Sequence, residues 1–255
     1  MERDDKLQII AVANDKGGVA KTTTAISLGG ALAQMGHETL LIDLDPQASL
    51  TLALGIPPHK VNRGIADLLI NTAAPVSVSC ETAVPGLDMI PANDDMRLAE
   101  RFLPIRADYR HILRKAIQTC RYDFVILDCP PSLGAIVQNA LVAATLLIIP
   151  TSPDYLSAYA LRNMLSTVRN IREKENPKLN YRVLVTMLDL RVKSHSQFSK
   201  KLKRTFKHAI FETAIQVDTR LRDSAMAGLP ITHYLASTRS AEQYRALAQE
   251  LLQYV

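Results

Sequence analysis

Two lysines and two glycines lie within residues 16–21, and their spacing could hold a phosphate group. The segment reads Asn14-Asp-Lys-Gly-Gly-Val-Ala-Lys-Thr-Thr-Thr24. In such a loop backbone N–H groups and a helix N-terminus face the anion, a lysine adds charge and a threonine hydroxyl can ligate Mg²⁺. The pattern G-x-x-x-x-G-K-[ST] nevertheless fails at Asp15 and Ala20, and only Lys21 and Thr22 match it. By that pattern alone, a plain strand–turn–helix connection is an equal alternative.

Aspartates stand at the ends of two apolar runs further along the chain. Asp43 and Asp128 each close such a run, and Asp45 follows Asp43 by two residues. Residues two apart share a face of a strand, although Pro46 breaks the ladder soon afterwards. An unpaired carboxylate is costly to bury, and a magnesium ion, bound directly or through water, would stabilise Asp128. For Asp43 and Asp45 the alternative is capping of the next helix.

Apolar runs alternate with helical patterns, and these elements must position the polar groups. The predicted strands span residues 7–13, 39–43, 86–90, 122–128, 146–149 and 182–186. The predicted helices span residues 22–35, with Gly36 as the C-cap, 106–119, 156–173 and 241–253. Nearly continuous Val, Ile and Leu strands divided by helices predict an α/β fold with a mostly parallel sheet covered on both faces. No repeat or linker divides the chain, so we predict one domain, residues 1–255.

Composition excludes several classes of protein. The 255 residues are 47% hydrophobic and 22% charged, which excludes a disordered chain. The longest apolar stretch, Ala140–Pro150, is shorter than the roughly 20 residues of a membrane-spanning helix. Met1–Lys6 does not resemble a secretory signal. Cys80, Cys120 and Cys129 form no C-x-x-C pair, so neither a disulfide framework nor a zinc site is expected, and we expect a cytoplasmic protein.

The positive charge is concentrated in one segment. The chain has a formal net charge of +5, whereas Tyr181–Ile210 alone carries eight basic residues and only Asp189 as an acid. A concentrated basic segment favours a polyanionic partner, with a solvated helix face as the alternative. Within it we predict a helix from about Ser194. Its inward stripe is Phe198, Leu202, Thr205 and Phe206, and its outward basic residues are Lys200, Lys203, Arg204 and Lys207.

Four linked motifs resemble the ParA/MinD family of ATPases. Lys16-Gly-Gly-x-x-Lys-Thr22 is similar to that family's deviant Walker A loop, which begins with an additional signature lysine. Leu41–Gln47 resembles its second motif, and Phe124–Pro131 resembles its Walker B strand. Arg220–Ile231 fits its R-L-x-(E/D)…G-x-P-I segment. Order and spacing agree from about residue 7 to the end of the chain, so the resemblance implies a single-domain P-loop NTPase fold.

The resemblance implies ATP and Mg²⁺ as cofactors and a role for each motif residue. Lys21 would contact the β- and γ-phosphates, and Asp45 would position the attacking water. Lys16 would cross to the nucleotide of a second subunit and so form a nucleotide-sandwich homodimer. The implied magnesium ligands are Thr22, Asp43 and Asp128. The implied nucleotide-binding residues are Lys16, Gly17, Gly18, Val19, Ala20, Lys21, Thr22, Thr23 and Met187.

Several of these residues have alternative interpretations. Met187 would form a wall of the adenine pocket, but an ordinary core position is at least as plausible from the sequence. Asp154 would help to place the active-site loops or would cap the following helix. Cys129 is expected to be a small packing residue. Ala20 replaces the family's usual glycine, where an α-region backbone would accept the extra methyl group.

The implied function is an ATPase, slow on its own, that dimerises with ATP, binds DNA without sequence preference and is activated by a ParB-like partner. It would segregate plasmid or chromosomal DNA on the nucleoid. A ParA-like positioner of protein cargo is an alternative. A MinD-like membrane ATPase is less favoured, because the C-terminal segment 241–255 has one arginine and two glutamates. Because only a few residues precede the first strand, we expect no DNA-reading N-terminal domain. The expected DNA contacts are Arg191, Lys193, Lys200, Lys203, Arg204, Lys207, Arg220 and Arg222.

Overall fold

The computed structural model describes residues 7–255, which contain a seven-stranded sheet. Its spatial order is β3-β4-β2-β5-β1-β6-β7, and every neighbouring pair is parallel except β3 and β4. The strands are β1 (Gln8–Val12), β2 (Thr39–Asp43), β3 (Cys80–Glu81), β4 (Leu87–Ile90), β5 (Phe124–Asp128), β6 (Leu146–Thr151) and β7 (Asn180–Val185). The predicted parallel α/β sheet is therefore confirmed. The antiparallel edge strand β3 was not predicted.

Eleven α-helices are assigned within residues 7–255. They are α1 (Lys21–Gln34), α2 (Ser49–Ala53), α3 (Ile65–Asn71), α4 (Met96–Phe102), α5 (Ile112–Ile117), α6 (Ala135–Ala143), α7 (Tyr155–Lys174), α8 (Lys193–Phe206), α9 (Arg220–Met226), α10 (Ile231–Tyr234) and α11 (Arg239–Leu251). Helices α3 to α8 cover one face of the sheet, and α1, α2, α10 and α11 cover the other. Alternate residues of each central strand are thus buried on opposite faces, as Ile9 and Ile10 show.

The long helices agree with the predictions within about two residues, whereas the middle of the chain differs. The predicted helix 106–119 is a 3₁₀ turn at Tyr109–His111 followed by the shorter α5. Helices α3 and α4 are too short to show several turns of apolar periodicity, so they were not predicted. No helix in residues 7–255 is both long and apolar enough to span a membrane. The expectation for Met1–Lys6 concerns residues outside the described part of the chain.

Helix α1 is held very close to its neighbours by small residues. A Cβ atom on Gly30 would stand 2.4 Å from Cβ of Pro230, and one on Gly29 would stand 2.8 Å from a methyl carbon of Leu41. On its first turn, the hydroxyl of Thr24 contacts the phenol of the fully buried Tyr244 at 3.3 Å. These contacts fix the N-terminus of α1, which directly follows the glycine-containing loop.

Candidate functional site

The polar residues singled out in the sequence meet at the carboxyl edge of the central strands. β1 lies between β5 and β6, so the chain leaves β1 where the strand order reverses direction. Crevices at such points bind ligands in open parallel sheets, because the loops on either side diverge. The loop 13–20 fills this position and leads straight into α1.

Hydrogen bonds within the loop and to two neighbouring segments fix its shape. The side-chain amide of Asn14 donates to the carbonyl of Pro150 at 2.7 Å, while its oxygen accepts from the N–H of Lys16 at 3.0 Å. The hydroxyl of Thr186 donates to the carbonyl of Val19 at 3.0 Å. The loop is therefore tied to the ends of β6 and β7 before any ligand is considered.

Ala20 has a left-handed backbone, with φ 64° and ψ 36°, at the N-cap of α1. Ala20 therefore does not adopt the right-handed α conformation, which the sequence analysis expected to accept its methyl group without strain. An L-residue in the left-handed region is less stable by roughly 1–2 kcal/mol, because Cβ approaches the carbonyl oxygen. Gly18, at φ 72°, meets the same requirement without a side chain. The loop thus has the conformation of a glycine-rich phosphate cradle but keeps one strained alanine.

Lys21 folds back over its own loop. Its ammonium group donates to the carbonyl of Lys16 at 2.9 Å, and the residue is 7% exposed. Burial lowers the pKa of Lys21, and the nearby carboxylates of Asp128 and Asp45 oppose this shift. A buried cation beside backbone N–H groups at a helix N-terminus is well suited to bind a phosphate.

Asp128 is a buried carboxylate without a satisfactory partner. It is fully buried, and neither of its oxygens has a hydrogen-bond partner of ordinary geometry. Burial raises its pKa well above the usual value, Asp43 raises it further, and the adjacent Thr22 hydroxyl opposes the shift. A bound cation would offset the free-energy cost of burying this carboxylate. Because Mg²⁺ uses one or two protein groups and completes its shell with water and phosphate oxygens, Thr22 and Asp128 fit such an ion. Within residues 7–255, no cluster of three His, Cys, Asp or Glu could hold a metal by itself.

Asp43 lies beside Asp128 in the sheet but is fully engaged. One of its oxygens accepts from the N–H and the hydroxyl of Thr51, at 2.8 and 2.7 Å, and the other accepts from the N–H of Asp45 at 3.1 Å. Burial raises its pKa to about 6 against these hydrogen bonds. Its observed contacts are those of a residue that caps α2, the alternative left open by the sequence. Its place near magnesium remains a prediction. Asp45 accepts from the N–H of Gln47 at 2.9 Å, which fixes the turn before α2.

The second lysine of the loop points to a different partner. The ammonium of Lys16 lies 2.7 and 2.9 Å from the two carboxylate oxygens of Asp154 and 3.1 Å from the hydroxyl of Ser157. Partial burial works against ionisation of Asp154, but Lys16 and the nearby hydroxyls hold its pKa well below its usual range. Asp154 also accepts from the N–H of Ser157 at 2.9 Å and so caps α7. Both interpretations of Asp154, loop placement and helix capping, therefore describe its contacts.

A cavity of about 370 Å³ opens beside the end of the loop. Met187 lines it, is 39% exposed and is therefore not an ordinary core residue. Ala20 and Thr23 lie on the same wall. Residues 215–225 also line it, and of these only Arg222 was named from the sequence as a site residue. The others are Ile215, Gln216, Val217, Asp218, Thr219, Leu221, which was named only as part of the R-L-x-D motif, and Ala225. The R-L-x-D motif, which begins at Arg220, was the signal that could have placed these residues.

The basic segment forms an amphipathic helix, α8, largely as predicted. Leu202 is buried, and Phe198 and Phe206 are half-buried. Thr205 is exposed, so its assignment to the inward stripe was wrong. Its hydroxyl donates to the carbonyl of Lys201 instead. Lys207 lies just past the helix, where a positive φ of 45° turns the chain away.

The eight expected DNA contacts divide into paired and unpaired cations. Arg191 pairs with Asp189 at 2.7 Å and holds the pKa of that carboxyl at about 2, Lys203 pairs with Glu212, and Arg220 approaches Asp218 at 3.9 Å. The other five are exposed and form no ion pair with any residue of the described chain: Lys193, Lys200, Arg204, Lys207 and Arg222. Arg222 lines the cavity beside Met187, so it stands next to the candidate nucleotide site.

A phosphate cradle, a buried lysine and an unpaired aspartate at the carboxyl edge of a parallel sheet define a nucleoside triphosphate-binding P-loop domain. Residues 7–181 match the family model described as an AAA domain. The chain is 37% identical over 247 residues to the sporulation initiation inhibitor protein Soj of Bacillus subtilis (strain 168), covering 96% of the chain and 98% of Soj. It is 34% identical over 251 residues to the chromosome partitioning protein ParA of Caulobacter vibrioides, covering 96% and 94%.

A solved structure also matches this chain over nearly its whole length. Cobyrinic acid a,c-diamide synthase from Mycobacterium smegmatis, with bound ATP analog and magnesium, superposes with a TM-score of 0.82 at 32% identity, covering 97% of this chain and 95% of that one. The chain belongs to the ParA/MinD family of P-loop ATPases.

Proposed function

We propose that the protein is an ATP-dependent, dimerising partition ATPase that binds DNA without sequence preference. The observation that carries this proposal is that two lysines of one loop lie in different places and make different contacts. Lys21 lies buried over its own phosphate cradle, whereas Lys16 is held outside it by Asp154 and Ser157, with 27% of its side chain exposed. One site has no need of a second phosphate-binding lysine outside the cradle, so Lys16 is available for the nucleotide of a second subunit.

ATP and Mg²⁺ fit the residues present. Thr22 and Asp128 would hold the ion, which neutralises developing charge on the phosphates when bound. Lys21 exchanges its bond to the Lys16 carbonyl for phosphate oxygens. Asp45, held by the turn at Gln47, orients the attacking water. The M. smegmatis relative, solved with bound ATP analog and magnesium, supports ATP and Mg²⁺ as the cofactors.

DNA binding would be gated by the dimer. Each subunit offers five exposed, unpaired cations among the proposed contacts, and a dimer doubles them. Phosphate contacts confer affinity without sequence preference. The name of the ParA relative, a chromosome partitioning protein, supports a role in chromosome partition. A ParB-like activator and association with the nucleoid are part of this proposal. A protein cargo in place of DNA remains the alternative.

Amide synthesis, the activity in the name of the structural relative, is not favoured by this chain. An amide synthase needs an ammonia source, and a cysteine that hydrolysed glutamine would require a lowered pKa. Burial instead raises the pKa of all three cysteines, Cys80, Cys120 and Cys129.

Three variants test the proposal. Lys21→Ala should abolish ATP binding, Lys16→Ala should keep ATP binding but not dimerise, and Asp45→Ala should dimerise without hydrolysing ATP. Equilibrium binding of a fluorescent ATP analogue and sedimentation with ATP measure these properties. A Lys16→Ala protein that dimerises normally would contradict the shared-lysine assignment.

A further inference from the structure

A wide groove lies outside the nucleotide site, between α7 and α8. Its volume is about 1020 Å³. One wall is a helical stripe of α7 that includes Leu161 and Leu165, and the other is a stripe of α8 that includes Phe198, Leu202 and Phe206. Both stripes continue for about four turns, or roughly 20 Å. The shape is therefore a trough as long as a short helix.

The walls of this groove are apolar, but they do not close on each other. Leu165, Phe198 and Phe206 remain only half-buried although each belongs to the apolar stripe of its helix. Leu202 is the one buried residue of α8. Apolar stripes of two helices normally pack together, so two stripes that face a common open groove leave apolar surface for a third element.

The rim of the groove is basic. Arg162, Arg169 and Lys201 line it, are exposed, and form no ion pair with residues 7–255. Asp154 is the one carboxylate among the lining residues, and Lys16 already neutralises it. An apolar trough with uncompensated cations along its rim matches an amphipathic helix that has an apolar face and acidic edges.

We propose that the groove between α7 and α8 binds an amphipathic, acidic helix of a partner protein. This goes beyond the partition ATPase activity and does not depend on it. DNA is the less favoured occupant, because phosphate binding gives no use to the aromatic and aliphatic walls. A basic activator peptide is also disfavoured here, because the rim would repel it. The bound helix would reach the end of the groove at Asp154, beside the Lys16 ion pair.

The test uses two fluorescein-labelled helical peptides of about fifteen residues, the length that the groove accommodates. Both carry leucine at i, i+3, i+4 and i+7, and one has glutamate and the other lysine at the flanking positions. Fluorescence anisotropy without nucleotide should show the glutamate peptide binding at least tenfold more tightly. Equal binding of the two peptides, or binding of neither, would overturn the proposal.

Substitutions on the rim test whether the peptide binds in this groove. Arg162→Glu with Arg169→Glu should weaken the glutamate peptide by about tenfold, as the loss of two rim ion pairs would, and should strengthen the lysine peptide. Arg97→Glu with Arg101→Glu, exposed on α4, is the matched control and should change neither. An equal effect of the two double variants would refute the assignment.

A second variant and a second ligand complete the design. Ser166→Trp, at an exposed lining position, should block the groove while circular dichroism and the thermal midpoint show a folded chain. Unchanged peptide binding in Ser166→Trp contradicts the proposal. In parallel, a DNA duplex is titrated with ATP present into the unmodified chain and into the Arg162→Glu, Arg169→Glu protein. Loss of DNA binding in the double variant, with no binding of the glutamate peptide to the unmodified chain, would assign the rim to DNA instead.

Discussion

At the scale of single residues, two alanines in the left-handed backbone region mark the site. Ala20 ends the phosphate loop at φ 64°, and Ala48 precedes α2 at φ 53°. Both are N-caps whose side chains cannot accept a hydrogen bond, so neither offsets the strain by capping. Strain of this size persists where surrounding contacts determine the backbone, and such positions cluster at functional sites. Ala20 is held by its neighbour Val19, whose carbonyl accepts from Thr186.

Ala20→Gly is expected to stabilise the protein. The substitution removes the close approach of Cβ but adds freedom to the unfolded chain, so the net gain is about 0.5–1 kcal/mol. Urea denaturation without nucleotide measures the difference. Ala33→Gly, inside α1, is the control and should lose about 1 kcal/mol. A loss of stability in Ala20→Gly would show that the alanine methyl group makes compensating contacts.

Asp128→Asn is expected to raise the free energy of unfolding at pH 7.5 without Mg²⁺ or nucleotide, by about 1–3 kcal/mol. The reason is the removal of a buried carboxylate whose oxygens have no hydrogen-bond partner of ordinary geometry. Because burial raises the pKa of Asp128, the carboxyl is already protonated in acid, and the advantage of asparagine shrinks as the pH falls. Denaturation at several pH values measures this trend. The variant should also lose any stabilisation by Mg²⁺ with ATP, and retained stabilisation would remove Asp128 from the ion's ligands.

Asp154→Asn keeps an oxygen for the N–H of Ser157 but removes the charge that holds Lys16. If Lys16 must leave Asp154 to reach a second subunit, the variant should dimerise at a two- to fivefold lower ATP concentration. This factor corresponds roughly to the free energy of one half-exposed ion pair. Light scattering during an ATP titration measures it. A higher ATP requirement would mean that Asp154 positions Lys16 for the dimer.

At the scale of elements, the fit of α1 against Pro230 determines where the phosphate loop ends. Gly30→Ala should destabilise the protein by about 1–3 kcal/mol and weaken ATP binding, because the new Cβ overlaps a proline ring and α1 must shift. Gln34→Ala, at an exposed position of α1, is the control and should be nearly neutral. Thermal unfolding and nucleotide titration report the two effects. If ATP binding is unchanged while stability falls, α1 does not transmit the shift to the loop.

Elements with several turns of periodicity were predictable, and contacts between them were not. The start of α8 was predicted within one residue from the apolar stripe Phe198, Leu202 and Phe206. Six of the seven strands were predicted from aliphatic runs. Strand β3 has two residues and depends on pairing with β4. The order of β5, β1 and β6 brings Lys16 to Asp154 across 138 residues, and local sequence carries no sign of that pairing. The motifs predicted that Lys21, Thr22 and Asp128 would lie together, as the structure shows, whereas their roles toward a nucleotide stay predictions.

At the scale of the whole molecule, the surface charge should make DNA binding depend on both ATP and salt. Lys200→Glu with Arg204→Glu replaces two unpaired cations of α8 and should abolish DNA binding while ATP-driven dimerisation survives. Arg97→Glu with Arg101→Glu, exposed on α4 and outside the proposed DNA contacts, is the matched control and should leave DNA binding unchanged. With six to ten phosphates neutralised, affinity of the unmodified dimer should fall by roughly 10³–10⁵ between about 50 and 200 mM salt.

Electrophoretic shift on two unrelated duplexes, with and without ATP, measures this behaviour. Tight binding without ATP, a strong preference for one duplex, or undiminished binding by the α8 double variant would each contradict the DNA assignment. The basic segment would then be interpreted as a solvated helix face.

The ion pair between Lys16 and Asp154 has a consequence for how a population of these molecules responds. In the proposed dimer, which exchanges one lysine in each direction, both subunits would have to release their own lysine from Asp154, and a single loaded subunit would gain nothing. The number of dimers then varies with the square of the loaded fraction, not in proportion to it. A gradual change in nucleotide supply or in local protein density would then produce a proportionally larger change in the amount of dimer.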